Sequence, residues 1–146
     1  MKKEKNVVAL FVLSVAGLLF SGYLSGVKFF TDTCAFNEGC PYFLGYPACY
    51  VGFALFLALT YVSFQVITSR MYDRKGFKWM EVIGLLGVVF AGYFTFQEIP
   101  ELFQSGFRAY VLGLPTCALG LIFYILIVYI SSRSLSKRKV PEFVQK

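Results

Sequence analysis

Between Val7 and Val27 the chain carries no charged residue, and the same holds from Tyr42 to Thr68 and from Ala109 to Ser132. A further run, Trp79 to Gln97, contains a single charge, Glu81, near its start. A helix needs about 20 apolar residues to cross the hydrocarbon core of a bilayer, so each run supplies one span. Backbone polar groups in lipid must find partners within the segment, and an isolated apolar run meets that demand only as a helix. Composition agrees. Of the 146 residues, 58% are hydrophobic and 15% charged, against about 25% charged in a soluble domain. The sequence therefore predicts an all-α integral membrane protein, a four-transmembrane-helix bundle over residues 1–132, with the lipid bilayer as its first partner.

The start, "MKKEK", and the small residues of Ser14-Val15-Ala16 resemble a cleavable signal. The apolar run continues eleven residues past Ala16, beyond the length of a signal core, so a retained helix is expected. Twelve of the fourteen Lys and Arg fall in three places: Lys2, Lys3 and Lys5; Arg70, Arg74, Lys75 and Lys78; and Arg133, Lys137, Arg138, Lys139 and Lys146. Four spans put all three on one side, and basic segments stay cytoplasmic. Both termini are expected inside, in the cell or inner membrane, with residues 133–146 as a basic cytoplasmic tail. Attraction to anionic lipid explains the basic balance, and no nucleic-acid partner is expected.

The chain is also written twice. "YFLGYPACYVG" from Tyr42 returns as "YVLGLPTCALG" from Tyr110. At an offset of 68, Tyr42–Ser63 aligns with Tyr110–Ser131 without a gap, and eight of the 22 pairs are identical. "GLLFSGYLS" from Gly17 matches "GVVFAGYFT" from Gly87 at an offset of 70. This predicts two helical hairpins, about residues 7–68 and 79–132, related by an axis along the membrane normal, a known membrane architecture. Gly17, Ser21 and Ser25 lie four apart, as do Gly87, Ala91 and Thr95. Such ridges let helix backbones approach closely in lipid, and packing inside the bundle is their expected use.

The repeated phrase reads as a helix start. Proline suits the first helical position, where its missing N–H has no partner to lose, which makes Pro47 and Pro115 the first residues of the second and fourth helices. Gly45 and Gly113 serve the bends before them. Cys49 and Cys117 then fall in first turns, where the dipole favours negative charge and a thiolate becomes reactive. Each alone also reads as a small apolar filler. Cys34 and Cys40 occupy the loop "TDTCAFNEGCPYF"; the spacing fits a structural loop disulfide and an exchanging one equally. All four cysteines fall toward the extracytoplasmic side, where disulfides persist. Without paired Cys-x-x-Cys motifs or any histidine, no metal site is expected.

Over roughly Val8 to Ser132 the chain resembles the vitamin K epoxide reductase family of membrane thiol oxidoreductases. The carriers are "GLLFSGYLSGVKFF", the Cys34/Cys40 loop and "FLGYPACYVGFALF". The resemblance implies a loop dithiol that exchanges electrons with a partner protein, here an extracytoplasmic thioredoxin-like protein, or with a second dithiol beside a bound quinone. In that family the second dithiol is a Cys-x-x-Cys opening the fourth helix. Here the matching positions read Leu114-Pro115-Thr116-Cys117, so its first cysteine is absent. The family's serine or threonine between loop and second helix also has no clear counterpart.

Two readings follow. In one, Cys49 replaces the missing partner, so Cys34 with Cys40 and Cys49 with Cys117 relay electrons to the quinone. Tyr42, Tyr46, Tyr50 and Tyr110 would then line its site, although tyrosines at helix ends also form interfacial belts. In the other, the chain is a non-catalytic four-helix subunit of a larger membrane complex, with disulfides as structural staples.

Overall fold

The computed structural model describes residues 2–32, 42–71, 73–105 and 116–136. Four helices carry almost all of them: α1 (Lys2–Thr31), α2 (Ala48–Ile67), α3 (Asp73–Ser105) and α4 (Thr116–Ser136). All four are long and apolar enough to cross a membrane. The third is longer than its charge-free run, and Glu81 has a partner: Ser132 Oγ of α4 donates to its carboxylate at 2.7 Å. Large apolar residues such as Leu19, Val89 and Phe96 are exposed along the outer faces, a surface suited to lipid rather than water.

A short antiparallel hairpin, β1 (Tyr42–Phe43) and β2 (Tyr46–Pro47), leads into α2. Its turn puts Leu44 at φ 51° and Gly45 at φ 86°. Two successive left-handed residues are what a two-residue hairpin turn of type I′ requires, so Gly45 does serve the bend. Pro47 differs by one position from the expected helix start. It pairs with Tyr42 as part of β2, which holds it extended at ψ 134° as the N-cap residue, and the helix begins at Ala48. Pro115 and Gly113 lie outside the described residues.

Helix α1 packs on α2 and α3 on α4, and α2–α3 and α1–α4 contacts close the ring. The duplication persists in burial. Helix α1 buries Val7, Leu10, Ser14, Gly17, Ser21 and Leu24; seventy positions on, α3 buries Phe77, Met80, Gly84, Gly87, Ala91 and Phe94. Phe56, Leu59, Ser63 and Val66 of α2 recur as buried Tyr124, Ile127, Ser131 and Ser134 of α4. Contacts repeat too. A Cβ on Gly17 would overlap the ring of Phe56, and one on Gly87 the ring of Tyr124. Asn6 of α1 donates to Ser134 of α4, while the equivalent pair, Gly76 and Val66, also touch. The bundle is thus two hairpins around a pseudo-twofold axis. Phe56 and Tyr124 stack upon it, with centroids 4.4 Å apart and planes 15° from parallel.

Buried hydroxyls show where the two halves differ. Ser63 Oγ donates to the Thr60 carbonyl at 2.9 Å, whereas Ser131 Oγ, its repeat equivalent, is buried without a hydrogen-bond partner among the described residues. An orphaned buried polar group costs about 1–3 kcal/mol. Ser131→Ala is therefore expected to raise the melting temperature in detergent, and Ser63→Ala to leave it unchanged or lower it. Equal losses from the two would contradict this assignment.

Candidate functional site

Helices α2 and α4 begin at the end of the bundle opposite the Asn6–Ser134 contact. Cys49 and Cys117 are their second residues. The two repeats therefore set one sulfur each at the same depth, each half-buried. Ser25 of α1 reinforces the first of these turns, its Oγ donating to the Cys49 carbonyl at 3.2 Å.

Below those turns the four helices leave a half-open cavity of about 60 Å³. Its walls repeat the duplication, with five pairs at equivalent positions: Phe20 and Phe90, Ser21 and Ala91, Cys49 and Cys117, Gly52 and Gly120, and Phe56 and Tyr124. Among the described residues, Leu24 and Ala48 complete the lining. The cavity thus lies where the two hairpins face each other, and both inner cysteines border it.

Among the described residues, the lining is apolar apart from the sulfurs and two hydroxyls. Ser21 Oγ turns back onto its own helix, donating to the carbonyls of Gly17 at 2.8 Å and Leu18 at 3.2 Å. The Tyr124 hydroxyl reaches across the axis instead, donating to the Gly52 carbonyl at 3.3 Å. That lies beyond the usual span of about 2.5–3.0 Å for an O–H···O bond, so the contact is weak. Phe56, the partner ring, carries no hydroxyl, so the floor of the cavity is polar on one side only.

Tyr42, Tyr46 and Tyr50 are not among the cavity-lining residues. Tyr42 and Tyr46 are exposed, with the Lys28 ammonium 5.8 Å from the Tyr42 ring centroid, and Tyr50 is half-buried. Cys34, Cys40 and Tyr110 lie outside the described residues. The aromatic residues that do border the cavity, Phe20, Phe56, Phe90 and Tyr124, were not singled out from sequence. A signal existed: the two offsets pair Phe20 with Phe90 and Phe56 with Tyr124.

A quinone ring is flat and apolar, with carbonyl oxygens that accept hydrogen bonds. Aromatic walls and one hydroxyl donor match that chemistry. The volume sets a limit, because benzene occupies an apolar cavity of about 150 Å³. At about 60 Å³ the cavity does not enclose such a ring. Compared with known protein families, curated proteins and solved structures, the chain matches none.

Proposed function

We propose that this protein is a divergent membrane thiol–disulfide oxidoreductase passing electrons from extracytoplasmic thiols to a quinone. One observation carries the reading: Cys49 and Cys117, one from each repeat, border the same cavity. A sulfur used only as filler has no need of a repeat-related sulfur across a shared space. The likeness to the vitamin K epoxide reductase family adds support, with Cys49 standing in for the cysteine missing before Cys117.

A thiolate of a reduced thioredoxin-like partner attacks a Cys34–Cys40 disulfide, forming a mixed disulfide. The partner's second thiol then displaces the loop sulfur, which leaves Cys34 and Cys40 as thiols and the partner oxidised. A second exchange of the same kind moves the electron pair inward. A loop thiolate attacks a Cys49–Cys117 disulfide, the other loop sulfur resolves the mixed disulfide, and the inner pair is left as two thiols. Rejoining Cys49 to Cys117 releases two electrons and two protons, and a quinone supplies the acceptor for both. The helix N-termini beneath both sulfurs favour the thiolate in these attacks. In the membrane, the basic exposed end carrying Lys5, Arg70, Arg74, Lys75, Lys78 and Arg133 faces the cytoplasm together with both termini. The cysteines then face outward.

The test is to map thiols and disulfides by alkylation and mass spectrometry, before and after a quinone is added to the reduced protein in lipid. Quinone-dependent loss of Cys49 and Cys117 thiols, with an equal yield of quinol, is the expected result. Sulfurs indifferent to quinone would overturn the reading and leave the alternative, a non-catalytic subunit of a larger membrane complex.

A further inference from the structure

The outer face of α1 holds a second opening, at the end of the bundle opposite Cys49 and Cys117. It is an open groove of about 590 Å³, against about 60 Å³ for the axial cavity. Among the described residues it is lined by Lys5, Val8, Ala9, Val12 and Leu13. Residues three and four apart share one face of a helix, so these five form a single stripe. Lys5 stands exposed at its end, and every other member is apolar. Asn6, the next residue, bonds Ser134 of α4, so the groove starts beside the α1–α4 seam.

The duplication shows what is peculiar to this face. Seventy positions on, α3 has Lys75, Lys78, Trp79, Val82 and Ile83 at the matching places. The cation recurs, Lys5 with Lys75, and so do the two aliphatic residues at the far end of the stripe. Between them the halves differ: Val8 is answered by Lys78, and Ala9 by Trp79. An indole stands on α3 where α1 has only a methyl group. Val8 and Val12 are 52% and 58% exposed, which leaves the stripe on α1 open and greasy beneath its cation. Charge complementarity then selects the occupant. An ammonium over an apolar trough fits a molecule with an anionic head and a hydrocarbon tail.

We infer that this groove seats one anionic glycerophospholipid, with an acyl chain along Val8, Ala9, Val12 and Leu13 and its phosphate against the Lys5 ammonium. A lysine stem packs on apolar surface while its charge reaches the headgroups, and a cation at that depth attracts anionic lipid. The bound lipid fastens the first hairpin at the basic end of the bundle. Trp79, an interfacial aromatic, anchors the second hairpin from its own side chain. The inference is independent of the redox reading, because neither Cys49 nor Cys117 borders the groove.

The probes are phosphatidylglycerol, which is anionic, and phosphatidylcholine, which carries no net charge, with identical acyl chains. Binding to the full chain in detergent is measured by native mass spectrometry as the two lipids are titrated in competition. Wild type is expected to keep one phosphatidylglycerol in preference to phosphatidylcholine. Lys5→Gln is expected to weaken phosphatidylglycerol about fivefold, the effect of one cation near a membrane surface, and to leave phosphatidylcholine unchanged. Lys75→Gln removes the same charge from the matching place on α3 and should change neither. Ala9→Trp copies the second repeat into the first. It should weaken both lipids about tenfold or more, because each methylene shut out forfeits about fourfold. Equal losses in Lys5→Gln and Lys75→Gln would reduce the preference to diffuse charge and overturn the inference. Undiminished lipid binding by Ala9→Trp would overturn it too, as would a protein dimer in place of the lipid adduct. If the melting temperature shows that Ala9→Trp does not fold, the two lysine variants decide.

Discussion

Cys117→Ser is expected to abolish quinone-dependent oxidation of the inner sulfurs, and Cys49→Ser to abolish it equally. A serine hydroxyl neither ionises near neutral pH nor forms the mixed disulfide that exchange requires, so neither single variant can close the inner bond. Residues that act as one unit lose as much singly as together. The Cys49→Ser/Cys117→Ser double variant should therefore be no worse than either single one. That non-additivity separates the proposed role from packing, where two small substitutions would each cost a little and their costs would sum. The readouts are quinol yield and alkylation of the remaining cysteine, with melting temperature as the folding control. In either single variant, the surviving inner sulfur of the reduced protein is expected to stay open to alkylation after quinone is added. Variants that retained wild-type quinol yield would remove both sulfurs from the reaction.

Much of this architecture was legible in the chain because lipid imposes a simple demand. A long apolar run must become a helix, so three charge-free runs and a fourth with the single charge of Glu81 gave four spans, and a gapless repeat gave their pairing. Of the two small-residue ridges, Gly17, Ser21, Gly87 and Ala91 are buried in the bundle, while Ser25 and Thr95, one turn further on, are half-buried. The change of offset from 70 to 68 also had a physical meaning: the segment joining the two helices is two residues shorter in the second hairpin. Other features were less visible. A leucine at φ 51° runs against the steric preference of any residue with a Cβ, so the turn at Leu44-Gly45 could be anticipated at Gly45 alone. The resulting hairpin made Pro47 a strand residue and helix cap rather than the first residue of α2.

Placement of the aromatic residues around the cysteines was harder. Tyr42 and Tyr46 belong to two-residue strands and Tyr50 to the first turn of α2. No helical or strand period long enough to orient a side chain passes through all three. Phe56 and Tyr124 were readable only jointly. Each looks like an ordinary core aromatic, and the pair acquires meaning when the offset of 68 sets one against the other and the offset of 70 supplies a glycine for each. Repeat registration carried more information about the cavity than proximity to the cysteines did.

That registration leads to the largest expected effect on the fold. Alanine at Gly17 or Gly87 drives a methyl group into the ring of Phe56 or Tyr124, and overpacking of this kind costs about 1–3 kcal/mol. Leucine at either position should prevent assembly of the bundle, because helix association in lipid depends on close backbone approach. The two sites are not expected to respond identically. Displacing Phe56 disturbs the axial stack alone, whereas displacing Tyr124 also breaks its long bond to the Gly52 carbonyl, a further loss of about 0.5 kcal/mol, the low end for a hydrogen bond. Gly87→Ala should therefore melt below Gly17→Ala. Trimming the ring relieves the clash: Gly17→Ala with Phe56→Leu, or Gly87→Ala with Tyr124→Leu, should recover stability with a coupling of about 0.5–3 kcal/mol. Gly52→Ala and Gly120→Ala make the contrast, since a methyl group there meets no atom and the helix gains about 0.5–1 kcal/mol. Thermal unfolding of all four alanine variants in one detergent decides the matter. Matching shifts at positions 17 and 52 would mean that helix propensity, rather than the seat of Phe56, governs the first of them, and the axial stack would lose its place as the centre of the fold.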